Sequence, residues 1–153
     1  MHLLPRGLHR ALEILLVEDN ADYAFLTRTA LGETRLSVNI HHVDDGAKCL
    51  KFLKREAPYE NSPMPDLVLL DLDMPVMDGR AVMAQIASDP ALNHLAVIVL
   101  TTRDEPSEVT NMYRLRCNSY ICKPAEFPLY VDLMRKVADY WSSVVELPAP
   151  AAR

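Results

Sequence analysis

Five short apolar runs, each followed by a stretch with helical spacing, limit what this chain can fold into more than any other feature. "LEILLV" (Leu12–Val17), "LSVNIHHV" (36–43), "LVLL" (Leu67–Leu70), "LAVIVLT" (95–101) and "NSYICK" (118–123) read as strands. The first, third and fourth have no polar face, as parallel strands buried on both sides require. Between the strands, Asn20 reads as an N-cap, and Tyr23, Leu26, Thr27, Ala30 and Leu31 recur at helical spacing until Gly32. Ala47, Leu50, Leu53 and Lys54 continue as a second helix, Arg80 to Ser88 as a third, and "EPSEVTNMYRLR" as a fourth with Pro106 in its first turn. A long last helix runs from Glu126 onward. The alternation predicts an α/β fold: a five-stranded, doubly wound parallel sheet, covered on both faces, with its ligand crevice at the carboxyl ends of the strands.

The length, 153 residues, suits one domain. We expect an N-terminal arm over 1–11, the folded domain with an extended last helix over 12–143, and a C-terminal tail over 144–153, with "ELPAPAAR" disordered. The net charge of −5 offers no basic face for nucleic acid. No apolar run approaches the roughly 20 residues of a membrane span, and "MHLLPRGLHRAL" is too broken for a secretory signal, so the expected location is the cytoplasm. Cys49, Cys117 and Cys122 lack disulfide or zinc-ligand spacing and read as reduced, mostly buried thiols. His41 and His42, in an alternating strand, are expected to point one inward and one outward, neither as ligand nor base.

Glu18 and Asp19, Asp71, Thr101 and Lys123 each fall at the carboxyl end of a predicted strand, on one rim of the sheet. Carboxylates crowded there repel by roughly 4 kcal/mol per pair at 4 Å and an effective dielectric of 20, so the cluster needs a cation. Hard oxygen ligands favour Mg²⁺. Metal, ammonium and hydroxyl together surround the equatorial oxygens of a phosphoryl group in transfer, while one carboxylate attacks phosphorus in line.

"ILLVEDN", "DLVLLDLDMPVMDG", "VIVLTT" and "YICKP" resemble, in order and spacing, the motifs of the receiver domains of two-component response regulators, over roughly residues 12–138. That resemblance implies the flavodoxin-like (βα)5 fold. It makes Asp71 the phosphoacceptor, Asp19 the direct Mg²⁺ ligand beside Glu18, and the backbone carbonyl of Asp73 a further ligand. It also makes Thr101 and Tyr120 the switch pair and Lys123 the phosphate-binding lysine, with a cis bond to Pro124. A receiver of this kind is not an enzyme in the usual sense; it takes phosphate from a sensor histidine kinase. Asp78 reads as a turn residue capping a helix start. A carboxylate at Asp73 beside the phosphoryl group either hinders hydrolysis by repulsion or helps it by orienting water; the sequence leaves both open. Thr102 narrows access to the site.

"LLDLDMP" also resembles the DxD motif of haloacid-dehalogenase-type phosphatases, with Asp71 as nucleophile and Asp73 as acid/base. Chain order opposes it, because the acidic pair precedes Asp71 and no acidic strand end follows Lys123. A pseudo-receiver is a third reading, opposed by the complete set of polar residues.

Only about fifteen residues follow the predicted fold, so the output is expected to be a protein contact or onward phosphotransfer rather than an attached effector. "DYWSSVVELP" is similar to the carboxyl-terminal extension of small regulators that serve bacterial phytochrome histidine kinases. Tyr140, Trp141, Val144, Val145 and Leu147 extend the apolar surface of the last helix beyond one buried face. We expect a homodimer through this segment; the alternative is that Trp141 and its neighbours fold back on their own domain.

Overall fold

The structure is a computed structural model and describes residues 11–33 and 37–148; residues 1–10 of the expected arm and 149–153 of the expected tail lie outside them. The elements alternate as β1 (Leu12–Val17), α1 (Ala21–Gly32), β2 (Val38–Val43), α2 (Gly46–Lys54), β3 (Leu67–Leu70), α3 (Gly79–Ser88), β4 (Ala96–Thr101), α4 (Pro106–Arg114), β5 (Ser119–Cys122) and α5 (Phe127–Ser143). All strand pairs are parallel, in the order β2-β1-β3-β4-β5. This is the doubly wound, flavodoxin-like arrangement the alternation predicted.

The unbroken apolar runs are explained by two cores, one on each face of the sheet. Leu15, Val17, Val68, Leu70, Val97 and Val99 pack under α2 and α3, against Leu53, Val82 and Ile86. Ile14, Leu16, Leu67, Leu69, Ile98 and Leu100 pack under α1 and α5, against Leu31, Tyr130 and Met134. Every residue of β3 and β4 is therefore buried, whereas β2 and β5, at the edges, are half-covered. Side chains of Asn20, Asp45 and Asp78 cap the first three helices, as expected for Asn20 and Asp78. α4 and α5 lack such a cap and begin with proline in the first turn instead. Met112 is the buried residue of α4, so this helix is the most weakly anchored of the five.

His41 and His42 depart from the expected in-and-out pair. Both are half-buried and hydrogen-bonded: His41 Nε2 to Glu13 Oε2 at 2.6 Å, and His42 Nε2 to the Glu18 carbonyl at 2.7 Å. The edge position of β2 explains this, because each ring leans toward its one neighbouring strand and finds an acceptor on β1 or at the residue that follows it. Cys49 and Cys117 are buried thiols and Cys122 is exposed; all three are free. No helix of the described residues is long and apolar enough to cross a membrane.

Candidate functional site

The rim at the carboxyl ends of β1, β3 and β5 forms a crevice lined by Glu18, Asp19, Asn20, Tyr23, Asp71, Asp73, Thr102 and Lys123. The acidic residues arrive there because β1 and β3 are adjacent and in register, Val17 beside Leu70, so the residues that follow them emerge side by side. The Asp71 N–H donates to the Val17 carbonyl at 3.0 Å and continues that ladder one step past the strand. Glu18, Asp19 and Asp71 each present an oxygen within 4.8 Å of the others. Such an all-oxygen set fits a divalent cation.

Burial separates the carboxylates. Asp71 is 7 % exposed and Glu18 2 %, while Asp19 stands open to solvent. Burial pushes the Asp71 carboxyl up to about 8, against the attraction of Lys123, with the nearby Glu18 charge raising it further. The Lys123 ammonium, itself buried, is bound to Glu18 Oε1 and stands 3.8 Å from Asp71 Oδ2 and 4.3 Å above the Tyr23 ring. Tyr23 in turn stacks edge-on against Tyr130, 4.9 Å between centroids, and the Tyr130 hydroxyl bonds Thr27 Oγ1 at 2.6 Å. The lysine is thus seated on a wall built by α1 and α5.

The loop after β3 is shaped by its glycine. The Gly79 N–H donates to the Leu72 carbonyl at 2.9 Å, and a Cβ there would stand 2.2 Å from the Asp71 carbonyl oxygen. Only glycine fits this approach. Asp78 caps α3 through the Ala81 N–H at 3.1 Å and is paired with Arg80 at 3.2 Å. Within the loop Val76 has φ 67°, a left-handed conformation that a β-branched residue adopts only under strain, and it is 83 % exposed.

The expected switch residues come together on β4 and β5. Thr101 is fully buried and its Oγ1 accepts from the Arg103 N–H at 3.3 Å. Tyr120 is half-buried against the core, and its hydroxyl donates to the Arg103 carbonyl at 2.9 Å; burial raises it to about 12. Its N–H reaches the Tyr113 hydroxyl of α4 at 3.3 Å. The bond from Lys123 to Pro124 is not cis; among the described residues the cis bond is Ala57–Pro58. Trans and cis differ by only about 0.5–1 kcal/mol before proline, so the residue pair alone does not fix the isomer.

Asp73 has a partner that its local sequence does not reveal. Arg103 Nε lies 2.8 and 2.9 Å from the two Asp73 carboxylate oxygens, and Arg80 Nη2 stands 3.8 Å away. Thirty positions separate Asp73 from Arg103, and only the adjacency of β3 and β4 brings them together. Arg80 also touches Glu108 of α4, in a contact without hydrogen-bond geometry.

The apolar segment at the end of α5 divides. Trp141 and Leu147 pack against their own domain's core, while Tyr140 and Val144, one helical turn apart, are 51 % and 65 % exposed; Val145 is half-buried. The outward surface is therefore narrower than the full set of five residues.

Comparison with known proteins agrees with this geometry. Residues 14–135 match the family model of the response regulator receiver domain. The response regulator Rcp1 of Synechocystis sp. is 35 % identical over 136 residues, covering 89 % of this chain and 92 % of Rcp1. A crystal structure of its Mn²⁺-bound form superposes with a TM-score of 0.88, covering 90 % of this chain and 99 % of that one. The phosphorylated cyanobacterial phytochrome response regulator RcpA, 35 % identical, gives 0.89 over 92 % and 100 % of the two chains. With the match spanning every strand from β1 to β5, the chain belongs to the response regulator receiver domain family.

Proposed function

We propose that Asp71 accepts a phosphoryl group from the phosphohistidine of a sensor histidine kinase and that the product switches a protein-interaction surface. The observation that carries this reading is the burial of Asp71 between an acidic pair and a buried lysine. In its ionised form one Asp71 oxygen attacks phosphorus, an O–P bond forms as the N–P bond of the phosphohistidine breaks, and the imidazole leaves. Asp19 and Asp71, with Glu18 beside them and the Asp73 carbonyl, would hold Mg²⁺, which supplies charge neutralisation for the transferring phosphoryl oxygens. Lys123, released from Glu18, pairs with one of those oxygens, and Thr101 donates its hydroxyl to another. Thr101 then draws the β4–α4 loop toward the phosphoryl group, and Tyr120 and the weakly anchored α4 follow. Phosphate shifts this equilibrium only by its differential affinity for the two arrangements.

The similarity to RcpA supports a bacterial phytochrome kinase as the phosphodonor, and a cytoplasmic site of action accords with that partner. A homodimer through the outward stripe of Tyr140 and Val144 is the proposed assembly. The phosphatase reading has no support, since the family match runs from the acidic pair through Lys123 in receiver order. The test is incubation with acetyl phosphate and Mg²⁺, followed by intact-mass measurement. We expect one phosphoryl adduct, labile to hydroxylamine and absent from Asp71→Asn; an adduct that survives hydroxylamine or persists in the variant refutes the assignment.

A further inference from the structure

Arg103 lies in the loop between β4 and α4, outside the residues that close on Asp71, yet it joins them. Its guanidinium holds both Asp73 oxygens, at 2.8 and 2.9 Å, two residues from Asp71. Its own N–H bonds Thr101 Oγ1 at 3.3 Å, and its carbonyl accepts from the Tyr120 hydroxyl at 2.9 Å and the Cys122 thiol at 3.5 Å. One residue thus ties the carboxylate at the mouth of the crevice to both switch hydroxyls.

The charge balance gives this pairing a consequence. Glu18, Asp19, Asp71 and Asp73 face the crevice with Lys123 as the buried cation, and the donor to be admitted is itself anionic. An exposed Asp73 carboxylate left alone would repel it. Side-chain exposures of 46 % and 41 % mean the ion pair adds little to stability, as surface pairs generally do; its effect is on where charge stands. Arg80, 3.8 Å from Asp73, and Glu105 Oε1, 4.0 Å from Arg103 Nη1, stand at the edge of ion-pair range, so the Arg103–Asp73 contact is the closest charge pairing that either partner makes.

We propose that Arg103 is a positioning residue for phosphorylation: it cancels the Asp73 charge and holds that carboxylate aside, and its backbone makes the loop and Tyr120 follow the ion pair. The inference rests on the reading of Asp71 as phosphoacceptor. Rates of phosphorylation by acetyl phosphate with Mg²⁺ at low salt test it in the full chain. Arg103→Gln should slow the reaction by about threefold to tenfold, and Asp73→Asn should speed it by about twofold to fivefold, because opposite charges are unmasked. The double variant should return to within about twofold of the wild type, and about 1 M salt should flatten all differences. The backbone amide resonance of Tyr120 should shift in both single variants, which charge screening alone would not produce. Two singles that change the rate in the same direction, or a Tyr120 amide that stays in place in both, would overturn the proposal. A wild type that takes no phosphate at all would instead sink the reading of Asp71, and this one with it.

Discussion

The Lys123 ammonium is bound to Glu18 and stands 3.8 Å from Asp71, so the cation of the site is held by Glu18 rather than by Asp71. A buried ammonium without a partner is costly, and Glu18 satisfies it. Lys123→Met would leave Glu18 buried and unpaired. It should lower stability by about 3–5 kcal/mol, and Lys123→Met with Glu18→Leu should recover most of that loss in denaturant titration.

Asp71 sets a pH dependence whose sign follows from its environment. Its folded carboxyl is raised to about 8 from an ordinary 3.8, so between those values the folded state binds the proton and the unfolded state does not. Stability of the metal-free protein should therefore fall as pH rises from about 4 to about 8. Asp71→Asn removes this dependence. In chelator at pH 8.5 the variant should be more stable by roughly 1–3 kcal/mol, several degrees in Tm, with no gain near pH 4. Mg²⁺ should reverse the order by stabilising only the wild type.

Gly79→Ala places a Cβ 2.2 Å from the carbonyl oxygen of Asp71. The loop must shift, at a cost of about 1–3 kcal/mol, and Asp71 moves with it. Thermal melts should show the loss, and the rate of phosphorylation should drop at least about tenfold, since small displacements of reacting groups are expensive.

Val76→Gly should act in the opposite direction. Relief of the left-handed strain at an exposed residue exceeds the added entropy of glycine, for a net gain of about 1 kcal/mol or roughly 2–4 °C in Tm.

The three central strands were legible because each carries apolar residues on both faces, and that is what a sheet between two helical layers demands. Asn20 and Asp78 were legible as caps because their chemistry is local. The acidic pair, Asp71 and Lys123 were placed on one rim by strand ends alone, and they line one crevice in the structure, whereas Thr101, placed with them, is fully buried with its Oγ1 on the Arg103 N–H and does not line it. What escaped depends on contacts between segments remote in sequence. Arg103 sits in "TTRDEP", which reads as a polar loop, and nothing local pairs it with Asp73. His41 and His42 found partners on β1 and at Glu18, just past its end, because β2 is an edge. The direction of each side chain at the end of α5 depends on where the helix lies over the sheet, which its apolar periodicity alone leaves open.

That division at the end of α5 separates stability from assembly. Trp141→Ala removes a half-buried ring from the domain's own core and should cost about 1–2 kcal/mol. Tyr140→Ser with Val144→Ser strips mainly exposed surface, together with the edge-on contact of the Tyr140 ring on Trp141, 5.7 Å between centroids. It should leave the melting temperature of the monomer within about 2 °C, yet convert a dimer to a monomer in sedimentation at tens of micromolar.

The central claim is that Asp71 receives phosphate from a histidine kinase through a metal-dependent transfer. The direct measurement follows radiolabel from an autophosphorylated bacterial phytochrome kinase to this chain, with Mg²⁺ and with chelator. We expect label to leave the kinase and appear on the wild type within minutes, only with Mg²⁺, and never on Asp71→Asn. Label that transfers in chelator, or that accumulates on Asp71→Asn as fast as on the wild type, would contradict the account.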